Sequence, residues 1–180
     1  MTRGLVEHYL PVFRHFLNQI DHLVMRADTG QLAARLAPDS LSALENFATA
    51  QGYVLRSLCP LVGKDVPQLD DVTTAQGLRA RGDFVRKTLE TLARTDAQIV
   101  GDIHHVAGKA TLSQAPYDYI ALYGAPNFFF HMNMGYAILR SMGLDVGKGD
   151  FDGFHIYPPG FSFVTAKDTG EQGPFSEPAQ

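Results

Sequence analysis

Residues 125–143, APNFFFHMNMGYAILRSMG, decide how this chain is read. Phe128, Ile138 and Met142 share one helical face at three- and four-residue steps, and Gly124, His131 and Gly135 fall on it too. An imidazole on such an apolar face is expected to be buried, with its protonated form disfavoured. The segment opens near Ser113, tolerates Pro116 in its first turn and closes at Gly143 as a C′ residue. From Tyr119 to Leu139 no side chain carries a formal charge, a length that could span a bilayer. Asn127, His131 and Asn133 lie inside it, however, and polar groups at that depth cost several kcal/mol without internal partners. The segment therefore reads as the most buried helix of a soluble domain, and no membrane partner is expected.

Three more helices precede it. The first runs from about Gly4 to Ala27, where Val6, Leu10, Phe13, Leu17, Ile20 and Val24 alternate steps of four and three. Tyr9, Phe16 and Leu23 widen that stripe, and Pro11 predicts a local bend. The second begins near Asp39, with Ser42 to Glu45 as a capping box. Its Leu44, Ala48, Leu55, Leu58 and Val62 share a face with the polar Gln51, and Pro60 and Gly63 close it. KDVPQLDD, residues 64–71, is an exposed acidic connector. The third opens at Thr73, with a capping box to Gln76, and buries Leu78, Val85, Leu89 and Leu92. Between Asp96 and Ser113 the period is lost, and a hairpin or irregular excursion is expected around Ala107-Gly108-Lys109. The fold expected is all-α: a four-helix bundle with that excursion on its third connection. Residues 1–153 form the domain and 154–180 an irregular C-terminal extension, mobile over its last ten or so residues. The aromatic stretch FDGFHIYPPGFSF, residues 151–163, is too apolar to float free and is expected to dock on the bundle or on a partner chain.

The 180 residues suit one domain, and 45% hydrophobic against 19% charged residues is a globular balance. A net charge of −4 without a basic cluster excludes a nucleic-acid surface. Cys59 is the only cysteine, so no internal disulfide forms. The N-terminus has no unbroken apolar run, and a cytoplasmic protein is expected. Cys59 itself, at an apolar helix end, reads as an inert buried thiol. Gly-rich phosphate loops, Gly-x-Ser-x-Gly elbows and His-Glu-x-x-His patterns are absent.

The seven histidines invite a metal hypothesis that geometry restricts. His8, His15 and His22 stand ~10.5 Å apart along a helix, too far to share a zinc ion with ligands ~2 Å away. They lie opposite the core stripe, as a solvated or dimer-contacting face. His104 and His105 point to opposite sides of an extended segment. His131 differs, because Gly135 one turn on leaves a gap for another backbone or a small ligand. Pro126 frees the carbonyl of Leu122 and bends the helix, and Asn127 is placed to satisfy that carbonyl or a ligand. Two readings stay open: a core histidine bonded to a facing helix, with Gln51 the partner, or a ligand-binding histidine.

Arg35 to Asp39 (RLAPD), the spacing of DDVTTAQGLRAR over residues 70–81, Pro126 to His131 (PNFFFH), Tyr136 to Arg140 (YAILR) and Gly147 to Gly153 (GKGDFDG) resemble one family. It is the uncharacterised domain-of-unknown-function family numbered nineteen-ninety-three, grouped with the DinB/YfiT-like superfamily, and the resemblance covers most of residues 5–153. It implies a four-helix bundle, often dimeric, whose relatives include metal-dependent transferases of small thiols and hydrolases. Their metal site takes one histidine from helix two and a His-x-x-x-His pair from the last helix. Here His131 matches one ligand, Gly135 stands at the second and Tyr53 at the helix-two position. The resemblance thus implies a metal site largely lost and no bound cofactor. The expected function is small-molecule binding near His131, Asn127, Gln51, Tyr53 and Gly135, in a homodimer, with no catalytic residue assigned. The alternatives are a zinc- or nickel-dependent small-thiol transferase or hydrolase, and a homodimeric interaction module using the His8/His15/His22 face.

Overall fold

The computed structural model describes residues 2–96, 99, 101–158 and 160–161. Helix α1 (Thr2–Arg26) runs unbroken through Pro11, which faces solvent. The short α2 (Thr29–Ala33) follows, with Asp28 and Gln31 forming its capping box. Helix α3 (Ala43–Leu58) starts later than the Asp39 expected. Its Ser42 oxygen accepts from the Glu45 N–H at 3.2 Å while the Glu45 carboxylate accepts from the Ser42 N–H at 2.7 Å. Helix α4 (Ala75–Ala93) is capped by Thr74, not Thr73. Thr74 is the last extended residue, and its hydroxyl accepts from the Gly77 N–H at 3.0 Å. The expected Thr73–Gln76 box is one residue out of phase.

Strands β1 (Ile103–Ala107) and β2 (Ala110–Gln114) form an antiparallel hairpin, His104 opposite Ser113. Gly108, at φ +60°, supplies the left-handed turn. Because Ser113 is held in that ladder, the last helix cannot begin there. It starts instead at α5 (Pro116–Asp118), with Pro116 at a position where its missing N–H costs nothing. A π-helical stretch (Tyr119–Gly124) follows, and then α6 (Ala125–Ser141). The bend expected at Pro126 is therefore a widened turn, in which the Ala125 N–H reaches back to the Ile120 carbonyl. The Asn127 amide donates to the Tyr123 carbonyl at 2.7 Å, one residue on from the Leu122 carbonyl expected. Gly143, at φ +80°, ends α6: its N–H bonds to the Arg140 carbonyl and that of Leu144 to the Leu139 carbonyl, both 3.1 Å.

The long helices α1, α3, α4 and α6 enclose one core, with α3 against α6 and α4, and α1 against α4. Phe13, Leu17 and Ile20 of α1, Phe47 and Leu55 of α3, Leu78 and Leu89 of α4, and Phe128 and Ile138 of α6 are fully buried. Each such side chain contributes about 1.5–3 kcal/mol. The Phe13 and Phe128 rings meet edge to face at 5.1 Å. No helix among the described residues is long and apolar enough to cross a membrane.

The GKGDFDG segment forms α7 (Lys148–Asp152), docked on α1. His22 donates to the Asp150 carboxylate at 2.8 Å and Arg26 pairs with it. His15 donates to the Asp152 carbonyl at 2.7 Å, and its ring stacks on Phe154 at 4.7 Å. Two of the three histidines read as a solvated or dimer-contacting face are thus occupied by the chain's own C-terminal segment. Among the described residues, His8 bonds only to the Gly4 carbonyl one turn back. Phe151 packs against Phe16 and Tyr136, at 5.8 and 5.4 Å, whereas Ile156 is 95% exposed. Docking of the aromatic stretch is therefore strongest at its start. Its last two residues, and the final ten expected to be mobile, lie outside the described residues.

Candidate functional site

Two glycines on α6 and its π-helical lead-in set the site. A Cβ at Gly124 would stand 2.4 Å from the Ser57 hydroxyl, and one at Gly135 would stand 2.6 Å from the Phe47 ring. The helix therefore presses against α3 at both points, and His131 lies between them. The gap expected beside Gly135 is filled by Phe47, so it holds no ligand.

Asn46 and Tyr53, two turns apart on α3, meet His131. The Asn46 amide nitrogen donates to the carbonyls of Leu41 and Ser42, at 3.1 and 2.9 Å, which turns its oxygen toward the imidazole. That oxygen lies 3.0 Å from His131 Nδ1, so Nδ1 carries the proton. Nε2 is left as a lone-pair acceptor without a partner among the described residues. Burial, followed by the charge of Arg56, lowers the His131 pKa from its ordinary value and keeps the ring neutral. Tyr53 stacks on the imidazole at 5.6 Å and 19°, and the Arg56 guanidinium lies over the Tyr53 ring, 5.4 Å from its centroid.

More aromatic groups extend the cluster. Tyr123 packs edge-on to Tyr53 at 5.9 Å, and burial with the Tyr53 hydroxyl pushes its pKa up to about 12. Tyr119, buried and raised further, donates to the Arg56 carbonyl at 2.5 Å. The hairpin brings in His105, whose ring lies 4.3 Å from Tyr123 and 4.9 Å from Tyr119. Its Nε2 donates to Gln114 at 2.7 Å, leaving Nδ1 sealed and unpartnered. Tyr119 and Tyr123, with raised pKa values, stay protonated at neutral pH, so they offer hydrogen bonds and ring faces without charge.

Of the residues expected to form a site, His131 and Tyr53 meet, and Asn127 stands one turn away on the Tyr123 carbonyl. Gln51 does not join them. It is fully buried on the α4 side of α3, donating to the Leu78 carbonyl at 3.0 Å beneath Gly82. The partner of His131 is Asn46, because only the Asn46 side of α3 faces α6. Asn46, Tyr119, Tyr123 and His105 escaped the sequence reading. Tyr119, Tyr123, Asn127 and His131 recur every four residues, a signal that was present; His105 reaches the cluster only through the fold.

The zinc or nickel ion of the alternative reading does not fit these residues. Phe47 fills the space a ligand at position 135 would need, and the Tyr53 ring lies face-on to the imidazole. Among the described residues no three His, Cys, Asp or Glu side chains converge as a metal site. Cys59 is buried at the end of α3, and burial raises its thiol pKa to about 11, far from a nucleophile's range.

A family model described as a domain of unknown function (DUF1993) matches residues 4–152. None of the curated proteins matches the chain. The crystal structure of a DinB family member protein from Shewanella denitrificans is similar, with a TM-score of 0.70 and 23% identity over 87% of this chain and 96% of that one. At that identity the likeness fixes the fold alone.

Proposed function

The chain belongs to the DUF1993 family, and on that premise we propose that it binds a small molecule through His131 rather than through a metal ion. The observation behind this reading is the fixed tautomer: Asn46 holds Nδ1–H and leaves Nε2 as an acceptor. A ligand O–H or N–H donates to Nε2, and the Tyr53 and Tyr123 rings offer their edges and faces to a planar body. The Arg56 charge opposes protonation of the imidazole, so the acceptor persists below neutral pH. Phenols and small carboxamides carry the required donor on a planar frame. A thermal-shift and NMR screen of such compounds tests the reading. Binders should shift His131, Tyr53 and Tyr123 resonances and lose affinity in a folded His131→Leu variant. Binding unaffected by that change sinks it.

The outer side of α6 favours a second, compatible reading, self-association. Phe130 on α6 and Leu122 on the π-helical stretch before it are 56% and 69% exposed, in a segment without formal charge. Under this reading Phe130→Lys lowers the sedimenting mass to that of one chain. The His8/His15/His22 face is the weaker candidate, since α7 and Phe154 already occupy part of it.

A further inference from the structure

A cleft of about 850 Å³ opens between α3, α4 and the connector 64–73. Its α3 wall is Glu45, Thr49, Gly52 and Arg56, at three- and four-residue steps, a different side of the helix from the one that bears Asn46. Two guanidinium groups line it. Arg81 donates to the Asp70 and Ala48 carbonyls, at 2.7 and 2.8 Å, and its Nε is sealed without a partner. The Arg56 guanidinium makes no hydrogen bond and no ion pair among the described residues and rests over Tyr53. Neither cation is thus neutralised by a bonded carboxylate. Of the acidic groups in the lining, Glu45 is engaged by Arg35 at 2.7 Å, and Asp71, with Asp70 next to it in the connector, opposes Arg81.

The connector wall sets Val66, Leu69 and Val72 among the polar Gln68, Asp71 and Thr73. Gly52 keeps the floor open: a Cβ there would approach Arg81 to 3.4 Å. Asp70 and Asp71 offset Arg81, which leaves the Arg56 guanidinium as the cation the cleft presents to a monoanion. The free Arg56 fork fits the two oxygens of a carboxylate. We propose that this cleft binds a small organic monocarboxylate, its oxygens on Arg56 beside Arg81 and its apolar body along Leu69 and Val72.

Hexanoate, hexanamide and inorganic phosphate are the probes, titrated into the full chain by calorimetry and ¹⁵N NMR. Hexanoate should shift the Thr49, Gly52 and Arg81 amides and bind at least about tenfold more tightly than hexanamide. Arg56→Gln should weaken it about tenfold or more, Arg56→Lys should restore part of the affinity, and Gly52→Leu should block the floor with both charges kept. His131→Leu should leave hexanoate affinity within about twofold, which separates this site from the imidazole site. Equal binding of hexanamide, displacement by equimolar phosphate, an unchanged Arg56→Gln, or shifts centred on Asn46 and His131 would each overturn the proposal.

Discussion

Alanine at Gly135 tests the contact that closes the site. The new Cβ would stand 2.6, 2.7 and 2.9 Å from three carbons of the Phe47 ring, about 1 Å inside ordinary contact. Phe47 is fully buried, so the ring has no solvent to swing into. Either it leaves its rotamer or α6 backs away from α3. Overpacking costs about 1–3 kcal/mol, here the upper half, about 2–3 kcal/mol, because three ring carbons are met at once in a fully buried site. The better helix propensity of alanine returns about 1 kcal/mol. The net loss is about 1–2 kcal/mol, a fall in Tm of about 3–6 °C for a chain of this size. Gly52→Ala is the matched control within α3. Its Cβ would meet only the flexible end of Arg81, at 3.4 Å, so propensity should raise stability by about 0.5–1 kcal/mol. Urea and thermal unfolding of both variants give the comparison. If Gly135→Ala equals or exceeds the parent while Gly52→Ala gains as expected, α6 does not approach α3 as described.

Three more outcomes follow from named contacts. The His131 pKa, lowered first by burial and then by Arg56, should be found below about 6.5 by NMR titration; in that window the unfolded chain binds more protons, so the contribution is full above about 6.5 and lost as pH falls through the folded value. A His131 titrating at or above the ordinary value refutes this placement, and His131→Leu should still fold but lose about 1–2 kcal/mol, because the Asn46 oxygen loses its donor. At Asp150, desolvation raises the carboxyl pKa, but the Gly147 N–H, His22 and Arg26 more than offset it and hold it low. Docking of α7 should therefore persist above about pH 4 and loosen as pH falls through the folded value, read from the His15 and Phe154 ring resonances; signals that stay unchanged in Asp150→Ala contradict it. Cys59 should resist thiol reagents in the native state and react only at the rate of global opening; rapid labelling would place it outside the core.

Much of the candidate site was legible as a stripe and illegible as a set of contacts. His131 stood out because an imidazole on an apolar helical face is unusual, and Tyr53 because it occupies a helix-two position of the family. Gln51 misled for the same kind of reason, a polar group on a buried face. Asn46 and Gln51 are five residues apart on α3, so they point about 140° away from each other. One faces α6 and the other α4, and only the order of helices around the core says which is which.

The sequence by itself determined the four long helices, an excursion turning around Gly108, the Ser42–Glu45 box and the Gly143 stop. Each depends on residues within a turn or two, where spacing and capping chemistry act locally. The tertiary structure alone decided that Gly135 is packed by a phenylalanine, that His105 joins Tyr123 from a distant hairpin, and that α7 covers His15 and His22. Those outcomes depend on how closely and in what register helices meet, which is set by steric contact between side chains far apart in the chain, so no local pattern carries them.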